Sequence, residues 1–416
     1  MTDAPSRLRI DPDRLRADLD AVNAIGTIPG LPGVNRPSFS DADMAGRRWL
    51  MARMAEAGLA ARMDAVGNVI GRWETGSGPA VLAGSHLDTV PMGGRFDGTL
   101  GVCAALEAVR AMRDAGLSPR RPVEVIAFAD EEGRFGGMLG SEAVCGLLTA
   151  ERMAAAVDET GARLTDAMRA QGLDPDRFAE AARDPAAIAV FLELHIEQGP
   201  ILAEAGETVG VVEGVSGVFH WVVTLRGEAN HSGTTPMDAR RDAFRGLAAF
   251  GASIDAILAE AGGPDTRLTV GKVALAPNFP HSIAGEAVFT IIGRDPDEAV
   301  MRRLAERCRV GIAAAAAAHG LAAAVEERSW LSPARLDAAV AEGLAQDAAA
   351  SGLPWRRMVS GAGHDAQTMA RRFPSGLIFA PSIGGVSHAP EEDTAWADVV
   401  AAAQIFARAV ARRAGA

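Results

Sequence analysis

Apolar and polar positions follow two different textures along this chain. Up to about Val211, short continuous apolar runs alternate with stretches of helical periodicity. The runs Ala80–Ser85, Val123–Phe128 and Ala187–Leu194 have almost no polar interruption. Runs of that length predict strands buried on both faces. Ala61–Val66 and Val69–Arg72 have the turn-bounded look of further strands. Arg14–Ile25, Asp41–Ala57 behind an N-cap at Ser40, Gly98–Ala115 and Leu139–Leu147 predict helices. Strand, helix and buried strand in alternation predict an α/β fold with a mixed sheet.

Beyond Val211 the pattern changes. Trp221–Arg226 alternates as a half-exposed strand, and Asp238–Glu260 reads as a helix. Leu268–Ala274 and Ala287–Gly293 read as strands, Pro296–His319 as a helix and Ala322–Glu327 as a last strand. That β-α-β-β-α-β order predicts a small split βαβ domain, of α+β type. From Ser332 onward, Met358–Gly363, Leu377–Ala380 and Val386–Ala389 again look like strand ends with loops. The expectation is a discontinuous large domain, residues 1–212 and 330–416, interrupted by an inserted one, residues 213–329.

The bulk properties narrow the class. A chain of 416 residues suggests two domains, and 48% apolar with 23% charged residues allows large cores. A net charge of −12 argues against a nucleic-acid or anionic-membrane partner. Cys103, Cys145 and Cys308 lie far apart and form no CxxC pair, as expected of buried thiols in a reducing compartment. Met1–Pro37 carries no apolar core of a secretory signal, and the alanine-rich tract Val310–Ala318 is too short to span a bilayer. The expectation is a cytoplasmic enzyme.

Groups able to do chemistry gather where the buried strands end. His86 and Asp88 follow Ala80–Ser85, and open α/β sheets place ligands at strand ends. His86 can bind a metal through one nitrogen while Asp88 accepts the other ring N–H. Asp97 follows a Gly-Gly turn and opens the next helix, placed to bridge two ions. Asp130, Glu131 and Glu132 follow Val123–Phe128, and three adjacent carboxylates repel unless cations neutralise them. One glutamate can then ligate while its neighbour moves protons. Glu193, His195 and Glu197 share one side of an extended segment. His388 stands in a Gly-rich turn near the C-terminus. Singly, such histidines are more often structural. Together the imidazoles and carboxylates, without thiolate, suit hard or borderline divalent metals. In the inserted domain, His231 among small polar residues suits donation to an oxyanion, and Arg294 suits a bidentate clamp on a carboxylate.

The strings GSHLDTVP, GRFDG, DEEG, LHIEQGP, NHSGTTPMDARRDA, GAGHDA and GGVSHAPEE, in this order and spacing, resemble the family of N-carbamoyl-L-amino-acid hydrolases, allantoate amidohydrolases and β-ureidopropionases. These are binuclear zinc amidohydrolases of the aminoacylase-like metallopeptidase clan, and the resemblance runs from about Arg14 to about Arg412. It implies a metallopeptidase-like catalytic domain with an inserted lid and dimerisation domain. It implies two divalent ions per subunit, zinc first, with manganese, cobalt or nickel as alternatives. His86 and His195 resemble the terminal ligands of one ion, Glu132 and His388 those of the other, and Asp97 the bridge. Glu131 resembles the general base, and Asp88, read above as orienting His86, is counted with it and His231 among the catalytic residues. His231 resembles a histidine offered by the lid, in this clan typically across a homodimer. Arg294 resembles the arginine that holds a substrate α-carboxylate, and Gly363, His364 and Gln198 resemble pocket-lining positions. The implied reaction is hydrolysis of the C–N bond of a small anionic N-carbamoyl-L-amino acid or related ureido acid, releasing ammonia and carbon dioxide.

Departures from the family pattern fall where substrate would sit. Ser216 stands where a glutamine is common, and Phe219 and His220 stand near positions usually held by arginine and tryptophan. The lid string is Pro277-Asn278-Phe279-Pro280-His281, so His281 replaces an asparagine beside Asn278. Ile292 replaces an acidic residue two before Arg294. These changes leave N-acyl-amino-acid amidase or dipeptidase as the alternative within the clan. A metal-bound homodimer that only binds an amino-acid-like ligand is the alternative outside catalysis.

Overall fold

The computed structural model describes residues 8–416. They divide into two compact units. One comprises the chain up to Glu213, Arg335–Met358 and Gly363–Ala416, and the other Gly214–Ala334 and Val359–Ala362.

The first unit is built on a nine-stranded mixed sheet. Across it run Ala60–Met63, Val69–Trp73, Val123–Phe128, Ala80–His86, Ile188–Ile196, Ser375–Ala380, Val209–Val215 and Ala334–Arg335, with Trp355–Ser360 also pairing with Val209–Val215. The four central strands are mutually parallel, from Val123–Phe128 to Ser375–Ala380. Their C-terminal ends therefore share one edge. His86 lies beside Phe128, and His195 beside Phe379.

Apolar residues fill both faces of these strands, because each face is covered. Val123, Val125 and Ala127 join a core with the helices Pro12–Ala24, Thr99–Asp114 and Trp396–Ala414, while Ile126 and Phe128 join the opposite core. The helix Thr99–Asp114 is buried almost all round. Its Glu107 is fully buried and is held by Arg14, with Nε 2.7 Å from Oε2.

The second unit is a four-stranded antiparallel sheet, in the order Ala322–Leu331, Gly217–Arg226, Glu286–Asp295 and Arg267–Ala276. Inward residues such as Phe219, Trp221, Phe289 and Ile291 pack with Phe250 and Leu304 of the helices Ala243–Ala261 and Glu298–Ala318. The β-α-β-β-α-β order is as expected.

Several elements differ from expectation. Val386–Ala389 is not a strand: Gly384, Gly385 and His388 have φ of 64°, 67° and 55°, which turns the chain instead of extending it. The first strand stops at Met63 because the Asp64 side chain takes the N–H groups of Val66 and Asn68. The helix expected from Asp238 starts at Ala243, where the Asp242 side chain caps Phe244 N at 3.0 Å. Val209–Val215, Ala338–Ala350 and Trp396–Ala414 were not expected, although Val399, Ala403, Phe406 and Val410 carry the helical period. No described helix is long and apolar enough to cross a membrane.

Candidate metal centre

His86 closes its strand and is 1% exposed. Its Nδ1 donates to the Asp88 carbonyl at 3.0 Å, so Nε2 carries the lone pair. That Nε2 lies 3.5 Å from Asp97 Oδ1 and 3.6 Å from Glu131 Oε2. His195 repeats the arrangement. Its Nδ1 donates to Ile196 O at 2.9 Å, and its Nε2 accepts from Gly98 N at 3.1 Å and faces Asp97 Oδ1 at 3.0 Å. On the other side, His388 Nε2 lies 3.4 Å from Asp97 Oδ2 and 3.3 Å from Glu132 Oε2. Two ligand sets result, His86–Asp97–His195 and Asp97–Glu132–His388. In each, one donor atom per residue lies within 4.8 Å of the others. Asp97 belongs to both, one oxygen to each.

The electrostatics fit divalent cations. Burial, with Asp97 adding to it, pushes the Glu132 carboxyl up to about 7, and burial puts Glu131 well above the usual carboxylate range. Asp97 is held well below that range because His195 and its fellow imidazoles outweigh burial. Its contact with His388 pushes that imidazole up to about 9. Carboxylates crowded at a strand edge without thiolates are the donors of a zinc-like or manganese-like site. A divalent cation between them removes their mutual repulsion.

The backbone is strained where the ligands are presented. Asp130, Gln198 and His388 have φ of 52°, 59° and 55°, unusual for side-chain-bearing residues, and each adjoins or is a ligand-bearing turn. Gly98 has φ of 62°, and a Cβ there would lie 2.4 Å from the His86 ring. Only glycine lets the Asp97 turn approach the histidine.

Asp88 departs from expectation. Its carboxylate is 3.9 Å from His86 Nδ1, and the backbone carbonyl orients that ring instead. The Asp88 Oδ2 accepts from Ser38 Oγ at 2.8 Å and from Glu132 N at 3.1 Å. Gln198 is turned onto the ligands, its Nε2 donating to Asp97 Oδ2 at 2.8 Å. His364 is 1% exposed, and its ring stands edge-on to His195 at 4.5 Å, while burial holds its pKa well below that of a free imidazole. Gly363 precedes it, half-buried beside Met138. Glu197 does not join the cluster: it caps the N–H groups of Ile201 and Leu202, each at 2.8 Å.

The second unit holds the remaining expected residues at two ends of its sheet. Arg294 pairs in register with Val218, and its Nη1 donates to Gly361 O at 2.8 Å. Ser216 is near that end, bonded through its N–H to Ser360 O at 2.8 Å. His231, Asn278 and His281 gather at the other end, where Ser232 N donates to His281 O at 3.0 Å and His231 bridges to Ser282. Asn278 lines a cavity of 420 Å³ there. His231 Nδ1 accepts from Gly233 N and Thr234 N at 3.0 and 3.2 Å, which leaves its Nε2 with the proton in an exposed ring.

Sequence reasoning placed Glu193 beside His195 without giving it a role, and it passed over Asp365. Glu193 accepts from Ser85 Oγ at 2.6 Å and from Ala366 N at 2.8 Å. Asp365 is fully buried, with its carboxyl raised by burial and then by Glu193. The signal was position: Glu193 stands two residues before His195, and Asp365 directly follows His364 in the GAGHDA string.

Comparison with known proteins agrees with this geometry. The model of peptidase family M20/M25/M40 matches residues 82–412. The chain belongs to that family. It is 40% identical to an N-carbamoyl-L-amino-acid amidohydrolase of Paenarthrobacter aurescens over 91% of this chain and 92% of the relative. It is 35% identical to an allantoate amidohydrolase of Bacillus subtilis over 87% and 88% of the two. A crystal structure of an amidase of the hydantoinase/carbamoylase family from Burkholderia multivorans superposes with a TM-score of 0.90, at 34% identity over 98% of both chains. Among M20 proteins, the chain therefore falls with the amidohydrolases of the carbamoylase and allantoate amidohydrolase group.

Proposed function

We propose that this M20 chain is a hydrolase of linear, non-peptide amide C–N bonds. Its substrate is an N-carbamoyl-L-amino acid or related ureido acid, and its products are the amino acid, ammonia and carbon dioxide. The observation that carries the reading is Asp97, shared by two ligand sets at the C-terminal edge of the parallel strands. The identities with amidohydrolases over nine-tenths of the chain support the same class.

His86, Asp97 and His195 would hold one divalent ion, and Asp97, Glu132 and His388 the other, with zinc preferred over manganese, cobalt or nickel. When bound, the pair supplies Lewis-acid polarisation of the carbonyl and a water of lowered pKa. Glu131, nine-tenths buried and beside His86, takes the proton of the attacking water. It then delivers that proton to the leaving nitrogen. His231 donates its Nε2–H to the carbonyl oxygen as negative charge develops there. Arg294 is half-buried and pairs with no carboxylate among the described residues, as suits a clamp for the substrate's own carboxylate. The resemblance assigns substrate binding to Asn278, His281 and Ser216 of the second unit and to Gly363, His364 and Gln198 of the first.

The chain works as a homodimer. Arg294 and Glu286 lie eight residues apart on one strand, and His231 and His281 sit at the Glu286 end. At about 3.3 Å per residue that separation is roughly 26 Å, far longer than a ureido acid. One substrate therefore takes Arg294 and His231 from two different copies. The three free, buried cysteines suit a cytoplasmic home.

A screen of the metal-reconstituted protein over N-carbamoyl, N-formyl, N-acetyl and longer N-acyl amino acids of both hands, with allantoate, tests the reading. Ammonia from N-carbamoyl-L-amino acids supports it. Carboxylic acid from N-acyl amino acids alone would move the assignment to an N-acyl-amino-acid amidase. Metals bound with no turnover of any substrate would favour a ligand-binding protein.

A further inference from the structure

We propose that Glu392 is a positioning residue that locks the Asp97 turn to the His388 turn, and so sets the shared carboxylate between the two ligand sets. The inference rests on the metal-centre reading above. Asp97 and His388 come from opposite ends of the sequence, and neither sits on a strand whose ladder would fix it. Glu392 is 2% exposed and supplies what the ladder does not. Its Oε1 accepts from Phe96 N at 2.9 Å and from Asp97 N at 3.1 Å. Its Oε2 accepts from Ser387 Oγ at 3.0 Å, and that hydroxyl also lies 3.1 Å from Asp97 Oδ2. One carboxylate thus binds the backbone of the bridging residue and the neighbour of a terminal ligand. Two N–H donors on one carboxylate oxygen are charge-assisted, and a buried donor deprived of its acceptor is costly.

The Asp97 turn is shaped to receive this side chain. A Cβ on Gly94 would lie 2.1 Å from the Glu392 carboxyl carbon, so only glycine at 94 leaves room for the clamp. Glu392 is not within either ligand set, so it acts through Asp97 and Ser387.

Groups that orient a ligand typically change metal affinity ten- to hundredfold when removed, and that is the expected size here. The test uses the full-length chain, stripped of metal and titrated with cobalt(II) alone. Visible absorption reports loading, and turnover is measured separately. Glu392→Ala and Gly94→Ala should weaken the second cobalt step by roughly ten- to hundredfold and alter its spectrum. At saturating metal they should lower kcat while KM stays within about twofold. Glu392→Gln, which keeps an acceptor for the two amides, should recover much of the affinity, and it serves if the alanine variant does not fold. Wild-type cobalt affinity and spectrum in both Glu392→Ala and Gly94→Ala would overturn the proposal. Asp97→Asn separates the layers. If it loses cobalt while the clamp variants do not, only this inference falls. If it too binds cobalt as wild type, the metal-centre reading fails as well.

Discussion

The Asp88 carboxylate accepts the backbone N–H of Glu132 at 3.1 Å, so the loop that follows one central strand is pinned by the loop that follows its neighbour. Asp88 is fully buried and also takes Ser38 Oγ at 2.8 Å. It holds the backbone of Glu132, a proposed ligand, and not the His86 ring. Asp88→Ala removes the acceptor of the part-buried Glu132 N–H and one partner of the Ser38 hydroxyl, at about 1–3 kcal/mol in all. A denaturation midpoint lowered accordingly, together with reduced metal content, is the expected result. A variant with wild-type stability and full metal loading would show that Asp88 positions nothing.

The Arg294 side chain donates to Gly361 O and has no acidic partner among the described residues. Its removal should therefore leave the fold alone and strike substrate binding. For Arg294→Ala we expect a loss of about 1.5–3 kcal/mol, seen mostly as a higher KM. Steady-state kinetics on a carboxylate-bearing substrate and on its amide separate the cases: the amide should be little affected. An equal loss on both would remove Arg294 from carboxylate recognition.

The two ends of the small sheet predict complementation. At substrate concentrations well below KM, Arg294→Ala and His231→Ala homodimers should each be nearly inactive. Mixed subunits should regain activity, to about a quarter of wild type for random pairing, because half the dimers carry one intact site. Two inactive variants that stay inactive after subunit exchange would show that one copy supplies both residues to a site.

Cysteine chemistry offers an independent test of packing. Cys103, Cys145 and Cys308 are buried, and burial pushes the Cys145 and Cys308 thiols up to about 12. At pH 8 almost no thiolate forms, so a thiol reagent should label none of the three in the folded protein and all three once it is unfolded. Rapid labelling of the native chain would contradict the cores described here.

Much of this site was legible in the sequence because it lies at strand ends. Buried parallel strands announce themselves as apolar runs, and the next residues, His86, Glu131, Glu132 and the His195 string, inherit a common edge. What pattern alone did not reveal were the contacts between distant loops. Asp88 shares an extended segment with His86, which suggested a side-chain contact, yet the chain turns and a carbonyl takes that place. Gly384, Gly385 and His388 mark a turn through positive φ, while their apolar neighbours suggested a strand. Six of the ten buried residues of Trp396–Ala414 are alanines, which blur the period that its larger side chains carry. Glu392 carries no local signal in its Pro-Glu-Glu string, and only the fold brings it to Asp97.

The most direct test compares ammonia release from N-carbamoyl-L-amino acids by the metal-loaded wild type and by Glu131→Gln, with metal content measured on the same samples. The account predicts two divalent ions per chain in both, turnover in the wild type that a chelator abolishes, and a rate lower by at least about 10²–10⁴-fold in the variant. Turnover by Glu131→Gln at the wild-type rate, or by wild-type protein stripped of metal, would contradict it.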